Sequence, residues 1–474
     1  MNYRDLFILT VPEVILTIGA LMVLATDLGL RRTAANRARM LAGAVLTTIA
    51  CLAAGTWVIA AKASGSFYGG MLVLDSLTRL IKPMLLLMTV FTALISVDTH
   101  FTDHVGEFFA LLLLATIGMM FLVSTENVLM IFIALELLSL SLYILTAFNK
   151  QNFQSAEAAL KYFLIGGISA AFMLFGLSLI YGLTGEIELR KIAAKASLDP
   201  LLLTALIMVV AGFGFKVAAV PFHLWAPDAY QGAPTASAAF IASGSKLASF
   251  FILAKVLMLG FNGETWAMLV AVIAALSILV GNVAAIAQSS VRRLLAYSAV
   301  AQAGYMLTGL LANNDQGLTS LIYYAATYAV TALGAFGVVA IVQERGGSEQ
   351  LTAFAGLSKR SPVLSVCMLI FLLSLAGIPP LAGFFGKFYL FSAAMSRGLL
   401  WLVIFAIAMS AVSLYYYLQV LKQIYVVNGE GPRLTACGLG CSVSAVLAIA
   451  VVLLGCAPDL LVEPLLRAIR SAGL

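Results

Sequence analysis

The sequence has few charged residues and few of the side chains that bind redox centres. Only 10% of its 474 residues are Asp, Glu, Lys or Arg. Of the three histidines, His100 and His104 fall in one predicted loop, so no pair of histidines in apolar segments is available to hold a haem. The cysteines lack iron–sulfur spacing, and because they lie in or beside apolar runs we expect them to be small core residues. They are Cys51, Cys367, Cys437, Cys441 and Cys456.

Nucleotide-binding motifs are also missing. The stretch from Gly212 to Val217 lacks the last glycine of the dinucleotide-binding pattern, and Leu381 stands where a P-loop ending in Gly386-Lys387 needs glycine. The net charge of +6 comes from basic residues scattered over short loops, where lipid headgroups account for them, whereas nucleic-acid binding needs them on one face. We therefore expect no cofactor, no metal and no nucleic acid on this chain.

The sequence consists mainly of long hydrophobic segments. Hydrophobic residues make up 62% of the chain, in continuous runs that recur from end to end. Barrel strands have short alternating patterns, so these runs predict an all-α polytopic membrane protein. The first run, Phe7 to Thr26, is longer than a signal-peptide core and is expected to be retained. About fourteen transmembrane helices of ~20 residues or more are predicted. They cover approximately 7–28, 40–61, 72–97, 107–124, 127–148, 154–182, 201–229, 234–258, 265–288, 293–312, 317–343, 361–396, 399–425 and 436–457.

Basic residues in the connections predict the orientation. The first connection carries Arg31, Arg32, Arg37 and Arg39, which favours the cytoplasmic side. Because consecutive spans cross in opposite directions, the other odd-numbered connections lie on the same side as the first. Both termini are then expected on the outer, periplasmic side.

Two predicted spans contain helix breakers next to a lysine. In span seven, Pro221 and Pro227 follow Lys216, and in span twelve Pro379 and Pro380 precede Lys387. Proline removes a backbone donor and breaks a helix, and broken helices at membrane depth line a protein or water interior. Their matching places predict two inverted five-helix repeats. The predicted units are an N-terminal three-helix segment (1–106), a first repeat (107–260), a second repeat (261–428) and a C-terminal helix with its tail (429–474).

Ionisable residues inside apolar spans are the candidate functional residues. Lys216, Lys246 and Glu136 fall near the middle of spans seven, eight and five, Lys161 lies one to two turns off the middle of span six, and Lys387 follows the second break. Such charges are costly in hydrocarbon and are functional by default. Desolvation makes a lysine able to titrate, and a glutamate supplies the opposite charge, so the set predicts proton transfer.

Several of these residues keep a second interpretation. A buried lysine can be a structural tether to backbone carbonyls. His223, two residues after Pro221, is either a proton relay or a core histidine, and Lys255 either acts in transfer or extends to the interface. Asp75, Arg79 and Lys82 share a helix face and are interpreted as an interfacial strip of ion pairs.

Three motifs resemble the antiporter-like subunits of proton-pumping NADH:quinone oxidoreductase, respiratory complex I. The likeness extends over essentially the whole chain, and the first motif is long enough to be highly specific. Its N-type members are the most similar, since M-type members carry glutamate at the position of Lys387 and L-type members extend beyond a point corresponding to Leu474. The motifs are GFKVAAVPFHLWAPDAYQGAPT (214–235), RLLAYSAVAQAGYM (293–306) and GIPPLAGFFGKF (377–388).

The resemblance implies roles for the candidate residues. Glu136 and Lys216 would form a modulating ion pair, Lys246 a central relay, and Lys387 the group that exchanges protons with the outer side. Lys161 would be a further relay position. In span ten this chain departs from the pattern, because Gln302 and Tyr305 stand where several relatives carry histidine.

It also implies the setting. The chain would lie in a bacterial inner membrane among the membrane and peripheral subunits of complex I, with NAD, FMN, iron–sulfur clusters and quinone in those partner subunits. A subunit of a multisubunit sodium/proton antiporter, whose members share these motifs, is the alternative. A purely structural membrane spacer is a third reading, against which the charges in broken helices argue.

Overall fold

The computed structural model describes residues 3–30, 34–60, 64–197, 199–429 and 438–473, with the backbone alone for residues 3–6. Nearly all of the secondary structure in these residues is helical. The helices are α1 (Tyr3–Leu30), α2 (Asn36–Ala60), α3 (Ser76–Ser96), α4 (Val105–Val123), α5 (Val128–Thr146), α6 (Phe153–Thr184), α7 (Leu189–Lys195), α8 (Pro200–Val217), α9 (Trp225–Gly232), α10 (Thr235–Phe240), α11 (Lys246–Gly260), α12 (Gly263–Ile286), α13 (Val291–Leu310), α14 (Asp315–Gly346), α15 (Leu357–Arg360), α16 (Pro362–Ala376), α17 (Ala382–Ser396), α18 (Leu400–Tyr425), α19 (Leu439–Cys456) and α20 (Asp459–Ala472). A π-helical turn (Ile241–Ser245) joins α10 to α11, a 3₁₀ turn (Leu351–Phe354) precedes α15, and strands β1 (Gly65–Phe67) and β2 (Leu72–Leu74) form an antiparallel hairpin.

The prediction of an all-α polytopic membrane protein is confirmed. In the part of the chain that the structure describes, 12 helical segments are long and apolar enough to cross a membrane. The other two predicted spans are occupied by α13 and by the pair α16 and α17.

The two breaks lie where proline and glycine predict them. Helix α8 ends at Val217 and α9 begins at Trp225, while α16 ends at Ala376 and α17 begins at Ala382. Both first halves end in a left-handed residue, Ala218 with φ 56° and Gly377 with φ 86°. The left-handed conformation turns the chain out of the helix axis and lets following amides bond the last turn.

Two isolated bridges give a structural sign of repetition. Asn127, which caps α5, pairs with Glu188, and Ser290, which caps α13, pairs with Gln350. The first bridge joins the fourth and sixth connections between spans, and the second joins the ninth and eleventh. Among the described residues, a bridge between alternate connections therefore occurs once on each face of the bundle, and two halves of opposite orientation produce this arrangement.

The centre of the bundle contains the segment Thr235–Gly260, whose apolar core is entirely buried, and α14, which is nearly so. Helices α1, α2, α6 and α18 lie at the periphery, with about a third to two fifths of each span buried. The helix that carries Lys246 is thus shielded on all sides by protein.

Three features were not predicted. The hairpin of β1 and β2 and the short helix α7 lie in connections, and α20 was treated only as a tail. This last helix is amphipathic: Leu465, Ala468 and Ile469 are buried while the Arg467 side chain is largely exposed.

The expectation that the cysteines are core residues is wrong for Cys456, which is exposed. Cys51 and Cys367 are buried and free, and Cys441 is buried and disulfide-bonded. Cys437 lies outside the described residues.

Candidate functional site

Lys216 is buried in the last turn of α8, where the carbonyl end of the helix favours a cation. Its ammonium donates to Ser139 Oγ on α5, and the hydroxyl of Ser139 in turn donates to the Leu135 carbonyl. The Nζ atom also lies 5.5 Å from the ring centre of Tyr143 and 5.0 Å from that of Phe215. One hydroxyl and two aromatic faces therefore surround this amine.

Glu136 lies one helical turn before Ser139 but does not form the expected ion pair. Within the described residues no cation lies within ion-pair distance of its carboxylate, and Oε1 is buried without a hydrogen-bond partner. The side chain lies on the outer stripe of α5, between Ile133 and Leu140, which are about half exposed. Its attraction on Lys216 acts through space. The direct pair is therefore replaced by the Lys216–Ser139 hydrogen bond.

Lys246 begins α11 directly after the π-helical turn. Only 2% of its surface is exposed, and Nζ donates to the Ala299 carbonyl of α13. The ring of Tyr328 lies 5.4 Å from the same atom. A π turn adds a residue to the helix and redirects the side chains that follow, and such turns are frequent at functional sites.

Lys387 caps the broken end of α16. Its Nζ atom lies 2.9 Å from the Leu375 carbonyl, 3.2 Å from the Ala376 carbonyl and 2.8 Å from Ser410 Oγ on α18. The Tyr305 ring centre is 4.8 Å away. These carbonyls have lost their helical partners at the break, so the lysine satisfies them and complements the helix dipole.

Lys246 and Lys387 thus show the contacts of the tether interpretation. The contacts are compatible with transfer as well, because a backbone carbonyl neither holds nor releases a proton near neutral pH.

The polar groups freed at the first break are also satisfied. Trp225 Nε1 donates to the Phe215 carbonyl at 2.9 Å, and the Val220 amide donates to Ser277 Oγ at 2.9 Å. His223 lies in this break with 8% of its surface exposed. Among the described residues, no hydrogen bond joins it to Lys216 or Lys246.

Lys161 is not with the other lysines. It lies in the first third of α6, is 45% exposed, and contacts Glu157 at 2.8 Å and Asp228 at 2.9 Å. Asp228 also binds Arg293 at 2.7 Å, so the group joins α6, α9 and α13 around a cavity of about 250 Å³ at one face of the bundle.

Sequence reasoning missed a hydrogen-bonded cluster between the Lys246 and Lys387 sites. Gln302 contacts the Leu375 carbonyl, Tyr324 and Tyr417, and Tyr417 contacts Ser298. All four side chains are buried. The only sequence feature that pointed to this cluster was Gln302, which stands where several relatives carry histidine. Tyrosine and serine are common in apolar helices and gave no indication.

Two buried ion pairs correct other predictions. Lys82 is wholly buried and binds Glu13 of α1 at 2.7 Å, so it does not belong to an interfacial strip. Lys255 is equally buried and lies 3.4 Å from Glu126 in the connection between α4 and α5, so its charge is paired inside the protein. Glu126 also contacts Arg190 at 3.2 Å. Neither acidic partner stood out in the sequence, because each lies close to the end of an apolar run.

Fold and site together define a polytopic helical membrane protein in which Lys216 and Lys387 lie at two helix breaks and Lys246 is buried in the centre of the bundle. The sequence model of the family described as "NADH:quinone oxidoreductase/Mrp antiporter, TM" matches residues 125–413. The chain belongs to this family, which confirms the resemblance of the three motifs.

Individual relatives cover nearly the whole chain. It is 52% identical to NADH-quinone oxidoreductase subunit N 2 of Acidobacterium capsulatum, over 98% of this chain and 99% of the relative. A chain of respiratory complex I from Thermus thermophilus superposes with a TM-score of 0.81 at 33% identity, covering 95% and 98% of the two chains. A chain of the Mrp complex from Dietzia sp. shares the fold, with a TM-score of 0.82 at 22% identity and 97% of both chains covered.

Proposed function

We propose that this chain is a proton-translocating membrane subunit, of the N type, in a bacterial NADH:quinone oxidoreductase. The observation that carries the proposal is the set of three buried amines, Lys216, Lys246 and Lys387, none of which touches a carboxylate among the described residues. A buried lysine without a fixed counter-ion can release its proton near neutral pH, which a permanently paired one cannot.

The names of the relatives indicate the complex to which this chain would belong. The Acidobacterium protein is a subunit of an NADH-quinone oxidoreductase, and the Thermus chain was solved in respiratory complex I. In this proposal NAD, FMN, iron–sulfur clusters and quinone reside in partner subunits, and this chain contributes no redox step.

Energy has to come from those partners. Moving one proton against the membrane potential costs about 2.3 kcal/mol per 100 mV, and no reaction within this chain supplies it. A neighbouring subunit that changes the charge or position of Glu136 would alter its attraction on Lys216. The ammonium would then move from Ser139 or lose its proton, and the change would pass inward to Lys246 and on to Lys387.

We assign the remaining candidates by position. Lys161, with Asp228 and Arg293, would lie at the proton-uptake face, and His223 would serve the hydrated break between α8 and α9. That face is placed in the cytoplasm and both termini in the periplasm, following the arginines of the first connection. The repeats would correspond to residues 107–260 and 261–428, which the recurring bridges support.

The test is Lys216→Ala in the whole complex, with Lys422→Ala, an exposed lysine near the end of α18, as the matched control. NADH-driven proton uptake into inverted vesicles and NADH oxidation are measured together. Lys216→Ala should assemble but translocate few protons per electron, while the control should equal the wild type. Wild-type pumping by assembled Lys216→Ala, or a flux that requires sodium, would overturn the proposal, and the latter would select the antiporter.

A further inference from the structure

A cluster of uncharged side chains fills the space between the Lys246 and Lys387 sites. Gln302 and Ser298 come from α13, Tyr324 from α14 and Tyr417 from α18. Each is at most 2% exposed. Their hydrogen bonds to one another involve no carboxyl, amine or imidazole group, so the cluster contains no side chain whose ordinary pKa lies near neutral.

The partners of Gln302 fix the orientation of its amide. The Leu375 carbonyl can only accept, so it requires the Nε2 side, which lies 3.1 Å away. The Tyr324 hydroxyl then donates to Oε1, and Tyr417 accepts from Nε2 at 3.3 Å. The amide is therefore held from three helices and has no freedom to flip without losing hydrogen bonds.

Gln302 and Lys387 share one acceptor. The Leu375 carbonyl receives Gln302 Nε2 at 3.1 Å and Lys387 Nζ at 2.9 Å. It belongs to the last turn of α16, at the break. A buried carbonyl that loses all its donors costs about 1–3 kcal/mol, so a second donor matters whenever the lysine moves away.

One turn of α13 forms hydrogen bonds at both lysine sites. The Ala299 carbonyl holds Lys246, and Gln302, three residues later, holds the carbonyl that Lys387 binds. A displacement of this turn would therefore change the surroundings of both amines together.

We propose that Gln302 is a positioning residue that keeps the broken end of α16 hydrogen-bonded while Lys387 releases its proton and leaves the Leu375 carbonyl. In that step an N–H bond of the ammonium breaks, the proton passes to water on the outer side, and the neutral amine keeps the electron pair. The Leu375 carbonyl retains the Gln302 amide as donor, so the break does not rearrange. This inference rests on the proposed function and assigns Gln302 no proton of its own, since an amide does not titrate.

The experiment compares Gln302→Leu with Gln302→His in the complete complex reconstituted in vesicles. Leucine fills a similar volume but donates nothing, so proton translocation should fall about tenfold and the proton-to-electron ratio should fall with it. Histidine can donate from one ring nitrogen to the Leu375 carbonyl and accept from Tyr324 with the other, so it should restore most of the wild-type ratio.

Tyr323→Phe is the control, since it removes the hydroxyl of another buried tyrosine of α14, whose bond, 2.8 Å to the Leu454 carbonyl, lies outside the cluster. It should pump as the wild type does. If Gln302→Leu fails to assemble, Tyr324→Phe, which removes the hydroxyl that donates to Gln302 Oε1 and so weakens the hold on the amide, should show a partial loss. Wild-type pumping by Gln302→Leu or by Tyr324→Phe, no recovery in Gln302→His, or an equal loss in Tyr323→Phe would each overturn the inference.

Lys216→Ala in the same preparation separates the two proposals. If Lys216→Ala pumps normally, the proposed function fails. If it does not pump but Gln302→Leu does, only the role of Gln302 fails.

Discussion

The ammonium of Lys216 has one hydrogen-bonding partner among the described side chains, the hydroxyl of Ser139. The carboxylate of Glu136 lies on the same helix, one turn away, and attracts it through space. Ser139 therefore fixes the position of the Lys216 ammonium, because Glu136 makes no hydrogen bond to it. Removing this hydroxyl leaves Lys216 with aromatic faces alone.

For this reason Ser139→Ala should lower the rate of NADH-driven proton translocation several-fold. Ser141→Ala is the matched control, because the Ser141 hydroxyl donates only to the Leu137 carbonyl of its own helix, at 2.8 Å. Proton uptake per NADH oxidised measures both variants. If Ser139→Ala and Ser141→Ala behave alike, Ser139 does not position Lys216.

At this scale the sequence predicts which residues are costly to bury but not their partners. Lys216, Lys246 and Lys387 could be chosen because a charge in an apolar run stands out. Ser139 and the Ala299 carbonyl could not, because a serine or a backbone group in a hydrophobic helix carries no signal until the fold brings it to the lysine. The Glu13–Lys82 pair was missed for a different reason, because Glu13 lies close to the end of an apolar run and its partner is on another helix.

Among the elements, the pair α16 and α17 depends on a very close approach. A Cβ atom at Gly383 would lie 1.9 Å from the Ser374 carbonyl oxygen, and Gly383 N donates to Ser374 Oγ at 3.1 Å. Only glycine allows α17 to start against the last turn of α16 at this distance. The geometry that delivers Lys387 to the Leu375 carbonyl rests on this contact.

Gly383→Ala should therefore destabilise the subunit by about 1–3 kcal/mol, the usual cost of overpacking. Gly167→Ala is the control, since Gly167 lies in α6 with nothing within 4 Å of the added methyl group. Thermal inactivation of the detergent-solubilised complex compares the two. An unchanged inactivation temperature for Gly383→Ala would show that the contact relaxes without cost.

Long elements were predictable and short ones were not. The spans and both breaks follow from hydrophobic length and from proline and glycine. The π turn before Lys246, helix α7 and the β1–β2 hairpin are stabilised by contacts made only in the folded chain, such as the hydrogen bond of the Glu126 amide to the Gly70 carbonyl at 2.8 Å.

For the whole molecule, contacts between connections sort them into two faces. Asn36 donates to the Thr102 carbonyl at 2.9 Å, which joins the first connection to the third. Arg190 and Glu126, 3.2 Å apart, join the sixth to the fourth. Odd-numbered connections thus meet odd-numbered ones and even-numbered ones meet even-numbered ones, as alternating spans require. Which face is cytoplasmic follows only from the arginines of the first connection.

Labelling of introduced cysteines measures this orientation. Gln151→Cys lies on the odd-numbered face and Lys191→Cys on the even-numbered face, and both positions are exposed. In a Cys456→Ser background, a membrane-impermeant maleimide should label Lys191→Cys from the periplasm and Gln151→Cys only in inverted vesicles. The reverse pattern would place both termini in the cytoplasm.

The central claim is that a proton passes through the buried amines, and Lys387→Arg tests it most directly. Arginine keeps its positive charge and can still bind the Leu375 and Ala376 carbonyls, but with a pKa above about 12 it cannot release a proton. The measurement is the number of protons translocated per electron by the assembled complex in vesicles. We expect Lys387→Arg to assemble and to translocate almost none, whereas the wild-type ratio in this variant would contradict proton transfer through Lys387.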